Sequence, residues 1–75
     1  MSRRLPVLSW RQIVKALGRR GFRPVHQRGS HMYLTDAGRT HKLTVPRHEE
    51  VAIGTLLSII EQSGIGRDVF LRLLE

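Results

Sequence analysis

The sequence holds no cysteine, which excludes a disulfide framework, a thiolate nucleophile and a cysteine-based zinc site. No stretch approaches the run of about 18 apolar residues that a membrane span needs. Arg3 and Arg4 near the start are followed by no apolar run of signal-peptide length. The expectation is a protein of the reducing cytoplasm with no membrane partner. No G-x-x-x-x-G-K pattern occurs, so the glycines form no phosphate loop. Repeats, linkers and low-complexity tracts are absent as well. Length is itself scarce: 75 residues make a single domain, 1–75, with 1–8 as an N-terminal extension. A chain this short buries only about 60% of its unfolded surface. It has no room for a cofactor-binding domain or a deep cleft, so any chemistry must be simple and close to the surface.

Acid is the other scarcity, and it is uneven. Residues 1–48 hold eleven Lys or Arg against one acid, Asp36, whereas residues 49–75 hold two Arg against five acids. Eleven of the thirteen cations are arginine, whose rigid fork matches phosphate oxygens. A one-sided basic surface on a small domain points to nucleic acid. The plainer alternative is a solvated basic surface that only keeps the protein soluble.

What is present is regular patterning. Ser9 is a good N-cap, and Trp10, Ile13, Val14 and Leu17 follow at helical spacing. Arg11, Gln12, Lys15 and Arg19 fill the opposite face, so an amphipathic helix is predicted over 9–20, closed by Gly21. Trp10 and the Leu and Ile stripes are read as core. Phe22 to Arg28 is a first strand, placed at an edge or paired only after Pro24, because proline cannot donate to a ladder. Gly29 permits a tight connection into Ser30–Thr35, which alternates as a half-buried strand should. Asp36-Ala37-Gly38 is a hairpin loop with Gly38 expected at positive φ, and a third strand, 41–45, ends at Pro46. Gly54-Thr55 opens a second helix with Leu56, Leu57, Ile59 and Ile60, stopped at Ser63-Gly64. A short last helix has Asp68 in its first turn and Val69, Phe70, Leu73 and Leu74 as its apolar set. The fold class is α+β: α-β-β-β-α with a short C-terminal helix, and a three-stranded antiparallel sheet covered by helices on one face. This is the topology of double-stranded-RNA-binding domains.

Strand alternation then selects the residues that face away from the core. With Met32 and Leu34 inward, His31, Tyr33 and Thr35 point out. With Leu43 and Val45 inward, Lys42 and Thr44 point out. Placing Val25 inward sends His26 and Arg28 out. One small surface thus gathers His26, Arg28, His31, Tyr33 and Lys42. Such a surface suits RNA cleavage, where the nucleophile is the substrate's own 2′-hydroxyl. The protein need only hold the phosphate, move a proton and stabilise charge. Histidine titrates near neutrality and can serve as base or acid, while arginine, lysine and backbone N–H groups do the rest. The expected products are a 2′,3′-cyclic phosphate and a 5′-hydroxyl. Candidates for a second proton-transfer group are His48, His26 and Tyr33, and spacing does not choose among them. Each feature has an ordinary explanation too. An exposed strand histidine is commonly a mere surface residue, and Tyr33 can stack a base or simply cap the sheet. The four histidines (26, 31, 41 and 48) match no compact metal-ligand spacing.

The motifs also resemble a known family. Gly21-Phe22, Val25 and Gln27-Arg28-Gly29-Ser30-His31 look like the "GF…V.Q.GSH" signature of HicA toxins, and Thr44-Val45-Pro46-Arg47-His48 looks like their "TVPRH" segment. Gly54-Thr55-Leu56 with Ile59-Ile60, then Ser63-Gly64-Ile65 with Phe70-Leu71, resemble the family's "GTL.SIL" and "GI…FL" segments. The similarity runs over about 9–74, in order and in register. It implies a double-stranded-RNA-binding-domain-like fold and the toxin of a type II toxin–antitoxin system. It further implies a metal-independent endoribonuclease acting on mRNA, with His31 as the catalytic histidine and no metal or organic cofactor. Arg28, Ser30, Lys42, Arg47 and His48 are the RNA-binding or charge-stabilising candidates around it. The implied partners are mRNA and a HicB-like antitoxin, in a higher-order toxin–antitoxin complex. The chain departs from the family in being arginine-rich, in its eight leading residues and in having Met32 after the G-S-H histidine.

Two other readings compete. One is an RNA-binding module without catalysis, using Arg19, Arg20, Arg28, Lys42 and Arg47 on phosphates. The other is a protein-interaction domain that pairs through an open sheet edge.

Overall fold

The computed structural model describes residues 4–75; residues 1–3, with Arg3, lie outside the described residues. The element order is α1 (Trp10–Gly18), β1 (Arg23–Arg28), β2 (His31–Thr35), β3 (Lys42–Pro46), α2 (Ile53–Ser63) and α3 (Arg67–Leu73). The strands form an antiparallel sheet in the order β1-β2-β3, as the patterning predicted.

α1 starts where a complete capping box allows. Ser9 Oγ accepts from Gln12 N at 3.3 Å and Gln12 Oε1 accepts from Ser9 N at 2.9 Å, so two orphan donors are satisfied reciprocally. Ile13, Ala16 and Leu17 face inward, and the helix ends at Gly18, before the expected limit at 20. Trp10 is only half-buried against the core. α2 buries Leu56, Ile59, Ile60 and Ser63. Leu57 sits off that stripe and is 40% exposed, so it is not core as expected. Ser63 is tolerated on the buried stripe because it donates its hydroxyl to Ile60 O at 2.6 Å. α3 buries Phe70 and Leu71, with Leu73 and Leu74 half-buried. Among the described residues no helix is long and apolar enough to cross a membrane.

The helices lie over β2 and β3. Leu34, Leu43 and Val45 are buried with Ile13, Leu17, Leu56, Ile59 and Phe70, while every residue of β1 is exposed. The chain before α1 also joins the core. Leu8 is buried and pairs with Val51, whose N–H donates to Leu8 O at 2.8 Å.

Three expectations about the sheet need correction. Val25 does not face the core: the ladder slips between Pro24 and His26, and the extra residue of this bulge stands 58% exposed. The slip leaves His26 opposite Tyr33 and Arg28 opposite His31, so those two still face outward. Thr35 is buried, because the β2–β3 connection folds over it and His41 O accepts its hydroxyl at 3.1 Å. Finally, Gly38 is not at positive φ. Arg39 is, at 55°, because Asp36 Oδ1 accepts from the N–H groups of Thr40 and His41 at 2.7 and 3.2 Å and sets the loop's path.

Candidate active site at the G-S-H turn

The β1–β2 connection is a two-residue turn, Gly29-Ser30, between the paired residues Arg28 and His31. Gly29 has φ 58°, the left-handed geometry a tight hairpin takes at its first position and glycine adopts at little cost. His31 therefore opens β2 with Arg28 beside it on β1 and Pro46 on β3. Arg28, Ser30 and His31 are all exposed.

The chain after β3 is bound to this turn. Arg47 N donates to Ser30 O at 2.6 Å, a bond between residues seventeen apart that joins two sequence motifs. The next residue is fixed through its backbone: His48 N donates to Pro46 O at 2.8 Å, and His48 O accepts from Trp10 N at 3.0 Å, an orphan donor of the α1 terminus. The His48 side chain is exposed. The guanidinium of Arg47 lies 4.7 Å from the centre of the Trp10 ring, and that of Arg11 lies at the same distance. Each is within cation–π reach. Arg11 also pairs with Glu49 at 3.0 Å, an exposed contact that adds little stability.

His31 and His48 line one groove of about 460 Å³, between β3 and α2. Thr44 and Pro46 form the sheet wall, and Thr55 and Ile59 belong to the helix wall. Glu50 is the carboxylate in this groove. Sequence reasoning missed Glu50 and the α2 wall, because loop residues and outer helix positions carry no periodic signal.

The other site candidates fall elsewhere. Lys42 pairs with Thr35, four residues along β2 from His31, or about 13 Å at the rise of a strand. It shares the face of His31 but not its groove. His26 and Tyr33 lie side by side with ring centres 5.6 Å apart. His41 belongs to another site: its Nδ1 is 3.1 Å from Asp36 Oδ2. The hydrogen bond from the His41 side chain holds the Asp36 carboxyl below its ordinary value of 3.8, helped by the backbone N–H groups of His41 and Thr40. Arg19 is spent on α3, donating to Leu73 O and Glu75 O at 2.6 and 2.5 Å. It is therefore tied to the C-terminal carbonyls, whereas the binding-module reading gave it a phosphate. Among the described residues no three His, Cys, Asp or Glu side chains converge as metal ligands.

No individually curated protein matches the sequence. Residues 10–65 match the family described as the HicA toxin of bacterial toxin-antitoxin, a stretch that contains the Gly29-Ser30-His31 turn, the Pro46-Arg47-His48 segment and both walls of the groove. The chain is thus a member of the HicA toxin family, the toxin half of bacterial toxin–antitoxin pairs.

Proposed function

We propose that this toxin is an mRNA endoribonuclease that works without a metal, with His31 and His48 as its proton-transfer pair. The observation that carries the reading is the shared groove: two exposed histidines from separate motifs line it, with Arg28 and Arg47 alongside. One imidazole takes the proton of the substrate 2′-hydroxyl as its oxygen attacks the adjacent phosphorus. The other gives a proton to the departing 5′-oxygen. The products are a 2′,3′-cyclic phosphate and a 5′-hydroxyl, and every proton is accounted for. Arg28, Ser30 and Arg47, neighbours of His31 in the fold, are the donors assigned to the phosphate's non-bridging oxygens, where they offset charge developing in the transition state. DNA lacks the nucleophile and is inert. Of the three candidates for the second group, His48 is favoured because it lines the groove with His31, whereas His26 and Tyr33 lie together further along the sheet face. The setting is the cytoplasm, and the partner is a HicB-like antitoxin whose acidic surface covers His31 and its basic neighbours.

The test is incubation of the partner-free protein with a long single-stranded RNA in excess chelator, beside His31→Ala and His48→Ala. The wild type is expected to cut and leave cyclic phosphate ends. His31→Ala is expected to abolish cutting, and His48→Ala to slow it by about 100-fold or more, the usual range for a lost general acid or base. Equal cutting by wild type and His31→Ala would remove His31 from the chemistry. Binding without cutting by all three would favour the non-catalytic RNA-binding module.

A further inference from the structure

The outward face of the sheet carries a second concavity, which adjoins the groove of His31 and His48 at Thr44. It is a depression of about 520 Å³ bordered by Val25, Tyr33, Arg39, Lys42 and Thr44, within the range of small-ligand sites. Its rim holds two cations and no carboxylate. Its floor is the half-buried ring of Tyr33, flanked by His26, and its side is Val25, turned out of the core by the β1 bulge. Tyr33 lies two residues along β2 from His31, on the same face, which is about 7 Å at the rise of a strand.

The β2–β3 loop presents one of the two cations. Among the described residues Arg39 is the one non-glycine at positive φ, although Gly38 adjoins it. A side chain is disfavoured in that conformation, yet here it places a guanidinium on the rim of the depression. The Asp36 hydrogen bonds that set the loop's path hold it there.

We infer that this depression is a nucleotide subsite for single-stranded RNA, in which Tyr33 stacks an unpaired base next to the scissile phosphate and Arg39 and Lys42 hold the following phosphate. The inference rests on the ribonuclease reading above. Charge selects a polyanion, and the aromatic floor with an apolar side selects a base rather than phosphate alone. A base reaches Tyr33 only when it is splayed from its stack, so the substrate is unpaired RNA rather than duplex. The toxin would read a strand along its open sheet face, from His31 towards Lys42.

The experiment measures binding of a labelled single-stranded oligoribonucleotide, and of the matching duplex, to the His31→Ala protein by fluorescence anisotropy. Further substitutions are then added to it. Tyr33→Leu is expected to weaken single-strand binding about tenfold, and Tyr33→Phe by less than about twofold. Lys42→Gln and Arg39→Gly are expected to weaken it several-fold, whereas Lys15→Gln on α1 leaves it unchanged. Arg39→Gly is also expected to keep or raise thermal stability, since glycine relieves the left-handed backbone, so its loss of binding is not a loss of fold. Equal binding by the Tyr33→Leu and Tyr33→Phe proteins overturns the subsite, as does a Lys15→Gln effect equal to that of Lys42→Gln or a duplex bound as tightly as the single strand. Cleavage by an otherwise wild-type Tyr33→Leu enzyme at unchanged KM removes the subsite and leaves the ribonuclease. No cleavage by the wild type and no binding by the His31→Ala protein removes both.

Discussion

At position 64 the backbone has turned left-handed to stop α2, with φ 74°, and a β-carbon there would sit 2.8 Å from His41 Nε2. His41 cannot swing aside freely, because its other nitrogen is held by Asp36. Gly64→Ala is therefore expected to cost about 1–2 kcal/mol from the backbone alone, with a further penalty from the imidazole. Gly54 near the start of α2 meets nothing within 4 Å, and Gly54→Ala is expected to stabilise by up to about 1 kcal/mol. Urea denaturation of the two variants should move in opposite directions, and a shared sign would refute the account of either site. At this scale the sequence was readable wherever the local code is strong: Gly21, Gly29 and Gly64 each turn left-handed, at the helix ends and the tight turn where glycine was expected. It misled at Gly38, because the loop's path is set by the Asp36 carboxylate accepting from two N–H groups downstream.

Among the elements, the helices were the more legible. Ser9 with Gln12 three residues on signalled the α1 start through local hydrogen bonds, and Ser9→Ala is expected to lose about 1 kcal/mol, checked by the thermal midpoint. Strand β1 was the less legible. Its alternation suggested Val25 inward, but a bulge is decided by pairing with β2, to which Pro24 brings no donor. The consequence is measurable. Val25→Thr is expected to change stability by less than about 0.5 kcal/mol, whereas Leu34→Ala, at a site 1% exposed, is expected to cost about 2–5 kcal/mol. Comparable losses would place Val25 in the core after all. Leu57 was over-read for a related reason: composition marks it apolar, but only Leu56, Ile59, Ile60 and Ser63 fall on the buried stripe.

Across the whole molecule, the candidate site was legible as a set of motifs and not as a place. Nothing in the spacing of Ser30 and Arg47 announces the 2.6 Å hydrogen bond that joins them, and nothing in the position of Lys42 announces that it lies at the far end of its face. Long-range pairing settles both. Charge is also a property of the whole. The basic part, residues 1–48, supplies all three strands and α1, so RNA affinity is expected to fall steeply with salt, by about 0.7 in log K per log salt for each phosphate neutralised on a single strand. Acid has a separate effect through Asp36. Its carboxyl titrates lower in the folded protein than its ordinary 3.8, so its contribution to stability is complete above that value and is lost as pH falls through the lowered one. The stability gap between wild type and Asp36→Asn is expected to shrink as pH falls below about 4. A gap that widened below about pH 4 would reverse the assignment.

The single tryptophan of the chain has the guanidiniums of Arg11 and Arg47 each 4.7 Å from its ring centre, and its backbone N–H donates to His48 O. Nature has thereby wired an optical sensor to the loop that carries the proposed acid or base. Indole emission responds to a nearby cation being moved or neutralised, so any anion that draws Arg47 away should change the fluorescence of the unlabelled protein. Occupancy at the G-S-H turn then becomes readable in real time, by stopped flow, without a dye and before any bond is cut.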